Sequence, residues 1–253
     1  MKRLENKVAL VAGGGSIGSA TVRRLAEDGC RVLLGDIALD QAEADAEEIS
    51  RATGVEVIAT AYDQGDDASV KRLVQTAVDH FGQLDFVHAN AADLSVAGED
   101  YDAVATDLAI YDRTMDINLR GFVLVTRHAM PHLVKSRGAI VYTGSGSAYI
   151  GEPTRFSYGM SKSGVNALMR HVATRWGPEG VRANALAPGF VLGRRDASAL
   201  PEGFMEMVTA AQRIPVVGEP RHIAAMVAHL FSDDGAWITG QVIAIDGGST
   251  MRA

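Results

Sequence analysis

With 253 residues, 47% of them hydrophobic, the chain can build one α/β domain whose sheet is covered on both faces. A net charge of −7 removes the electrostatic basis for nonspecific nucleic-acid binding, and no apolar run reaches the ~18 residues of a membrane span. The single cysteine, Cys30, excludes an internal disulfide and fits a reducing cytoplasm.

Met1–Lys7 leads directly into the first apolar run, so the expectation is a cytoplasmic protein without a signal peptide. That run, Lys7-Val-Ala-Leu-Val-Ala12, reads as a buried parallel strand. It enters Gly13-Gly-Gly15-Ser16-Ile17-Gly18, followed by a helical segment from about Ser19 to Asp28. The pattern G-x-G-x-x-G between strand and helix points to a dinucleotide. Gly13 permits the turn, Gly15 admits a pyrophosphate close to the backbone, and Gly18 lets helix pack on strand. Ser16 and Ile17, between the second and third glycines, join the candidate cofactor-binding residues, and the free N–H groups at the N-terminus of the helix that follows suit phosphate.

The second strand, Arg31–Asp36, ends in a carboxylate 18 residues after Gly18, with Ile37 next. An acid there accepts hydrogen bonds from the adenosine ribose and repels a 2′-phosphate. No basic residue lies in the glycine turn or directly after Asp36, so NAD is favoured over NADP. The acidic run Asp40, Glu43, Asp45, Glu47 and Glu48 reads as the solvated face of a helix over Asp40–Thr53.

A third strand, Val57–Tyr62, precedes Asp63, and a helix follows over Asp66–Phe81. The fourth strand, Leu84–Ala89, runs into Asn90-Ala91-Ala92. A long helix over Asp107–Ser136 carries Asn118. His128 and His132 stand four apart on it, but no third ligand is evident and no metal site is expected. The fifth strand, Gly138–Thr143, leads to Ser145, and a helix over Thr154–Trp176 carries Tyr158 and Lys162. Four apart, these two share one helix face.

The sixth strand ends at Asn184-Ala-Leu-Ala-Pro188-Gly189. Phe190–Ile214 then carries Leu200, Phe204, Met205, Met207 and Val208, with Arg194 and Arg195. A helix over Pro220–Phe231 and a last strand within Ile238–Gly248 complete the chain. Trp176 and Trp237 read as packing residues. Seven strands alternating with helices predict a Rossmann-like, doubly wound parallel sheet with helices on both faces. With no linker or repeat, residues 1–253 form one domain. Gly13, Asp36, Asp63, Asn90, Ser145 and Pro188 all fall at strand carboxyl ends, where such sheets bind ligands.

The chemistry of these groups is coherent. An ammonium near a phenol favours phenolate, lowering the Tyr158 pKa from about 10 toward the range of a general base. Ser145 can donate to a substrate oxygen as charge develops on it.

Taken in order from Lys7 to Gly248, these motifs resemble the short-chain dehydrogenase/reductase family in its compact form. The resemblance implies an oxidoreductase acting on CH–OH with NAD. Tyr158 would be the general acid/base, Lys162 would hold the nicotinamide ribose hydroxyls, and Ser145 would orient the reacting oxygen. Asn118 would hold a water that links Lys162 to solvent. Asp63 would contact the adenine amine, while Asn90, Ala91 and Ala92 form a strand end on the cofactor. Pro188, Gly189 and Val191 would lie beside the nicotinamide. The resemblance further implies a mobile lid over about 190–214. It also implies a homotetramer with Asp107–Ser136, Thr154–Trp176 and the last strand in subunit contacts.

Departures from the family pattern are Ala12 for Thr before a glycine turn one residue shorter, and Ala89 and Ala92 for Asn and Gly. Gly193 stands where many relatives carry Thr, and Arg221-His222 where relatives often carry acids. The apolar lid residues point to a hydrophobic, cyclic or aromatic secondary alcohol or its ketone; equally, they pack a short lid helix. Asp93, Ser147, Tyr149 and Glu152 are further pocket candidates. The two arginines would meet an acidic substrate group or face water. Two other readings stand beside this one. A 3-oxoacyl-type carbonyl reductase is opposed by Asp36, which disfavours its usual NADPH. A non-catalytic NAD-binding scaffold has no use for Asn118, Ser145, Tyr158 and Lys162 together.

Overall fold

Seven parallel strands run in the order β3-β2-β1-β4-β5-β6-β7 in the computed structural model, which describes residues 2–194 and 200–251. The strands are β1 Val8–Ala12, β2 Arg31–Asp36, β3 Val57–Ala61, β4 Phe86–Ala89, β5 Ala139–Thr143, β6 Arg182–Pro188 and β7 Val242–Ile245. The chain leaves β1 for β2 on one side and returns to β4 on the other. That reversal opens a crevice beyond the carboxyl ends of β1 and β4.

Period-2 alternation distributes each strand between two cores. From β1, Val8, Leu10 and Ala12 join one cluster, while Ala9 and Val11 join the other. The first cluster is roofed by helices α3 (Asp67–Phe81), α5 (Gly121–Ser136) and α6 (Phe156–Trp176), through residues such as Leu73, Phe122 and Met169. The second is roofed by α1 (Gly15–Glu27), α2 (Leu39–Thr53) and α8 (Pro220–Phe231), through Leu25, Ile49 and Val227. Every β1 residue is fully buried, which explains why the sequence there is a continuous apolar run.

The doubly wound fold matches the sequence reading, and most element bounds shift by a residue or two. Three differences have physical causes. Helix α1 begins at Gly15, inside the glycine motif rather than after it. The segment read as one helix over Asp107–Ser136 is α4 (Leu108–Met115), a π-helical turn over Asp116–Arg120, and α5. Such a turn changes the hydrogen-bond register and re-aims side chains without ending the helix, and Asn118 sits inside it. Trp176 stacks edge-on against His171, but Trp237 is 99% exposed on the segment before β7 and is not a packing residue.

The acidic run also divides. Asp40, Glu43, Glu47 and Glu48 are exposed, whereas Asp45 accepts hydrogen bonds from Ser19 and Arg194. Arg221 pairs with the Glu219 carboxylate, and His222 Nδ1 accepts the Glu219 N–H at 3.0 Å, so His222 and Glu219 form a capping box on α8. His128 pairs with Asp67 at 2.7 Å. Among the described residues no group of His, Cys, Asp and Glu could hold a metal ion. None of the helices among the described residues is long and apolar enough to cross a membrane.

Candidate active site

The glycine turn is held from three sides. Gly13 N–H donates to Gly35 O at 2.8 Å, Asp36 Oδ2 accepts Gly14 N–H at 2.6 Å, and Asn90 Nδ2 donates to Gly13 O at 2.8 Å. These bonds do the tying that the hydroxyl absent at Ala12 would supply. Gly13, at φ 101°, has no room for a side chain, since a Cβ would stand 2.4 Å from the Ala91 backbone. Gly18 is as tightly placed, 2.0 Å from Gly13 O for the same hypothetical atom. By contrast a Cβ on Gly15 meets nothing within 4 Å. Open space therefore fronts the first turn of α1, whose N-cap Gly14 offers no side-chain acceptor. Gly15, Ser16 and Ile17 present their N–H groups there, the donor array that anions favour.

Asp36 closes β2 with Oδ1 on Ala38 N–H at 2.8 Å, and Ile37 beside it is 77% exposed. Asp63 lies exposed past the end of β3, its Oδ1 accepting Gly65 N–H at 2.8 Å. Asn90 and Ala91 both donate N–H to Ala12 O, and Ala92 is exposed at the mouth of the crevice. Pro188 ends β6, Gly189 N–H donates to Ile245 O at 3.1 Å, and Val191 bridges Gly218. The strand ends thus bring the sequence-derived residues to one edge of the sheet.

Beneath that edge runs a buried polar chain centred on Thr143. Its Oγ1 donates to Asn90 Oδ1 at 2.8 Å and lies 2.9 Å from His88 Nε2. Since the one hydroxyl proton goes to Asn90, His88 must donate, which fixes its Nε2–H tautomer. Complete burial pulls the His88 imidazole down to about 3, so it stays neutral. The Thr143 carbonyl accepts from Lys162 Nζ at 3.0 Å. Lys162 is 1% exposed, and desolvation lowers its ammonium to about 7. The Phe122 and Tyr158 rings lie 5.0 and 5.6 Å from Nζ.

Tyr158 sits half-buried on α6 beside Lys162, and its hydroxyl hydrogen-bonds the Ser145 side chain. Ser145 Oγ also accepts Ser147 N–H at 3.1 Å, which anchors the short 3-10 turn over Gly146–Ala148. The Tyr158 phenol does not follow the sequence argument. Burial raises its pKa above the ordinary value, outweighing the Ser145 hydrogen bond and the Arg155 charge that favour phenolate, while Glu152 adds to the rise. The reason is that Lys162, lowered to about 7 by burial, is already neutral in the range where a phenol titrates, and it directs Nζ to Thr143 O.

Asn118, fully buried, pairs its amide with the Asp93 main chain: Oδ1 accepts Asp93 N–H at 2.7 Å and Nδ2 donates to Asp93 O at 2.9 Å. Two of the four hydrogen bonds that this amide can make are thus given to protein. Of the other pocket candidates, Asp93 also pairs with Arg113, Glu152 with Arg155, and Tyr149 Oη accepts Asn166 Nδ2.

After β6 the chain is clasped to α1 and α2. Arg194 N–H donates to Ser16 Oγ at 2.8 Å, and its guanidinium meets Asp45. A Cβ at Gly193 would stand 2.2 Å from Ser16 Oγ, so this approach excludes the Thr of many relatives. In the segment that the sequence reading expects to be a lid, helix α7 (Phe204–Ala211) has half-buried Phe204, Met205 and Val208, with Met207 exposed. Phe204 packs edge-on against Phe190 at 5.1 Å. Arg195 lies outside the described residues.

Four residues escaped sequence reasoning. His88 and Thr143 sit inside apolar strands, where nothing marks a polar pair. Gln64 donates from Nε2 to Ala91 O at 3.0 Å and Ile117 O at 2.7 Å, tying the Asn118 turn to β4. Asp100, in an irregular loop, is 2% exposed. Burial of a lone polar side chain is their common signal, and only tertiary structure reveals it.

Comparison with known proteins gives a consistent answer. A family model described as enoyl-(acyl carrier protein) reductase matches residues 11–250. The chain is 38% identical to a probable short-chain type dehydrogenase/reductase of Bradyrhizobium diazoefficiens, over 98% of this chain and 89% of that one. It is 34% identical to cis-4-hydroxycyclohexanecarboxylate dehydrogenase of Sinomonas cyclohexanicum, over 96% of each. The solved structure of a 7α-hydroxysteroid dehydrogenase with NADH and 7-oxo glycochenodeoxycholic acid superposes with a TM-score of 0.91. It is 25% identical and covers 99% of this chain and 97% of that one.

Proposed function

Because the chain belongs to the short-chain dehydrogenase/reductase family, whose members are oxidoreductases using nicotinamide cofactors, we propose that it oxidises a secondary alcohol with NAD, or reduces the ketone, using Tyr158 as general acid/base. The observation that carries this reading is the meeting of Ser145, Tyr158 and Lys162 at the carboxyl end of β5, above a buried polar chain centred on Thr143.

The residues fit a dinucleotide. Open space before the uncapped first turn of α1 suits a pyrophosphate, and the Asp36 carboxylate at the end of β2 suits ribose hydroxyls. Asp36 alone argues for NAD over NADP. Gly13, Gly15, Ser16, Ile17 and Gly18 would line the pyrophosphate, with Asp36, Ile37, Asp63, Asn90, Ala91 and Ala92 around the adenosine. Pro188, Gly189 and Val191 would flank the nicotinamide, which when bound takes up or delivers the hydride.

The chain's own part is proton transfer and position. Ser145 would donate to the substrate oxygen while Tyr158 takes its proton in oxidation or supplies one in reduction. Lys162, with one acceptor at Thr143 O, has further N–H bonds to give to ribose hydroxyls. Asn118 anchors the Asp93 main chain through its amide and would hold the water that links Lys162 to solvent. A buried, raised Tyr158 is phenol at neutral pH, and its phenolate fraction grows with alkalinity. Oxidation should therefore accelerate as pH rises, and reduction should slow.

A hydrophobic cyclic substrate agrees with the half-buried apolar side of α7 and with the ring compounds named for two similar proteins. Segment 190–214 would act as its lid. The exposed Trp237 and the open edge of β7 support assembly into a homotetramer through that edge. The one cysteine, buried Cys30, suits a cytoplasmic setting.

The test follows nicotinamide absorbance with NAD or NADP against cyclic, aromatic and steroid alcohols, from acid to alkaline pH. NAD-dependent turnover that climbs with pH and falls ~10²–10⁴-fold in Tyr158→Phe is the expected result. NADP preference would overturn the reading of Asp36 and favour the 3-oxoacyl-type reductase. Binding of NAD with no turnover would leave the scaffold reading standing.

A further inference from the structure

Helix α6 carries the proton-transfer residue as its third residue, yet it has no side-chain cap of its own. The preceding residue, Arg155, is left-handed at φ 61° and offers no side-chain acceptor. The acceptor arrives from 57 and 58 positions away. Asp100 Oδ1 takes Ser157 N–H at 3.3 Å, and Oδ2 takes Tyr158 N–H at 3.0 Å. The Asp100 carbonyl also accepts Arg155 N–H, at 2.6 Å. A carboxylate is the group best suited to free N–H groups at the positive end of a helix. Here one buried acid holds three main-chain amides, including that of Tyr158 itself.

The loop that bears Asp100 is fixed at its other end to the Asn118 turn. Asp93 supplies N–H and carbonyl to the Asn118 amide, while its Oδ2 accepts Arg113 Nε at 2.7 Å. Tyr111 of α4 and Phe156 of α6 stack at 6.0 Å beside it. The loop over 93–100 is thus a strap between the π-helical turn and the start of α6.

We propose that Asp100 is a positioning residue that sets where the Tyr158 phenol stands, through its grip on the main chain of α6. The proposal rests on Tyr158 being the proton-transfer group. A purely structural cap would lower the melting temperature and leave turnover at 25 °C unchanged. A positioning residue acts on kcat, since small misplacement of a reacting group is costly to rate.

The experiment compares wild type, Asp100→Ala and Asp100→Asn for kcat, KM, NADH affinity by fluorescence, and amide exchange at Ser157 and Tyr158. For Asp100→Ala we expect kcat lowered about tenfold or more, NADH affinity unchanged, and exchange at both amides about tenfold faster. Asparagine keeps one acceptor oxygen and should recover part of each loss. If Asp100→Ala does not fold, Asp100→Asn decides by the same measures. Unchanged kcat with a lowered melting temperature overturns the proposal, as does unchanged exchange. Exchange needs no substrate, so absent turnover in wild type would strike the proposed activity while the grip of Asp100 is still judged.

Discussion

The floor of the crevice and its lid are built on opposite terms. Around Thr143, polar groups are buried and bonded to one another, from His88 through Asn90 to the glycine turn and across to Lys162. In α7 no residue is fully buried, and the helix touches its surroundings mainly through half-buried Phe204, Met205 and Val208. Desolvation makes the floor a place where protonation states are set and geometry is unforgiving. A thin layer of apolar contact lets the lid vary in shape at little cost in stability. On the proposed function, chemistry belongs to the first region and substrate choice to the second.

The sharpest way to break that contrast is at Lys162. Its ammonium is lowered to about 7 by burial, so between pH 7 and the ordinary 10.5 an unfolded chain binds a proton that the native chain does not. Native stability therefore rises with pH across this window in the cofactor-free protein. Lys162→Met, which has no charge to desolvate, should be more stable than wild type by about 2–5 kcal/mol at pH 7. The gap should close toward pH 10.5, as read from paired urea titrations. A gap independent of pH would show that Lys162 is hydrated, and the floor no drier than the lid.

A similar test at His88 needs no substitution. With its imidazole held near 3, the native protein resists a proton that the unfolded chain accepts below 6.5. Its stability contribution is complete above 6.5 and is lost as pH falls toward 3. Nitrogen NMR shifts should report the neutral Nε2–H tautomer at pH 5. A midpoint near 6.5 would mean that water reaches the strand.

The smallest effects belong to the lid. Met207 is 61% exposed, and Met207→Ser should change stability by no more than about 0.5 kcal/mol. Phe204→Ala removes the contact with Phe190 and should raise the alcohol KM several-fold with kcat held within about twofold. A collapse of kcat in that variant would move the lid into the chemical machinery and erase the contrast.

Much of the fold could be read from the chain because buried parallel strands leave continuous apolar runs and helices leave their own period. The glycine motif was as legible, since close approach at Gly13 and Gly18 tolerates no Cβ. Asn118, Ser145, Tyr158 and Lys162 could be singled out because they stand at fixed spacings. Their environment was not. Spacing showed Lys162 one turn from Tyr158 but not that the ammonium spends itself on Thr143 O, nor that burial drives the phenol pKa upward.

Composition and local pattern alone determined the α/β class, the glycine turn and the acid at the end of β2, because each depends on neighbours within a few residues. Only tertiary structure decided the clasp of Arg194 on Asp45, the exposure of Trp237, the π-helical turn at Asn118 and the cap that Asp100 lends to α6. Each joins groups far apart in the chain or depends on what covers a surface, and desolvation and long-range hydrogen bonds leave no periodic trace in a sequence.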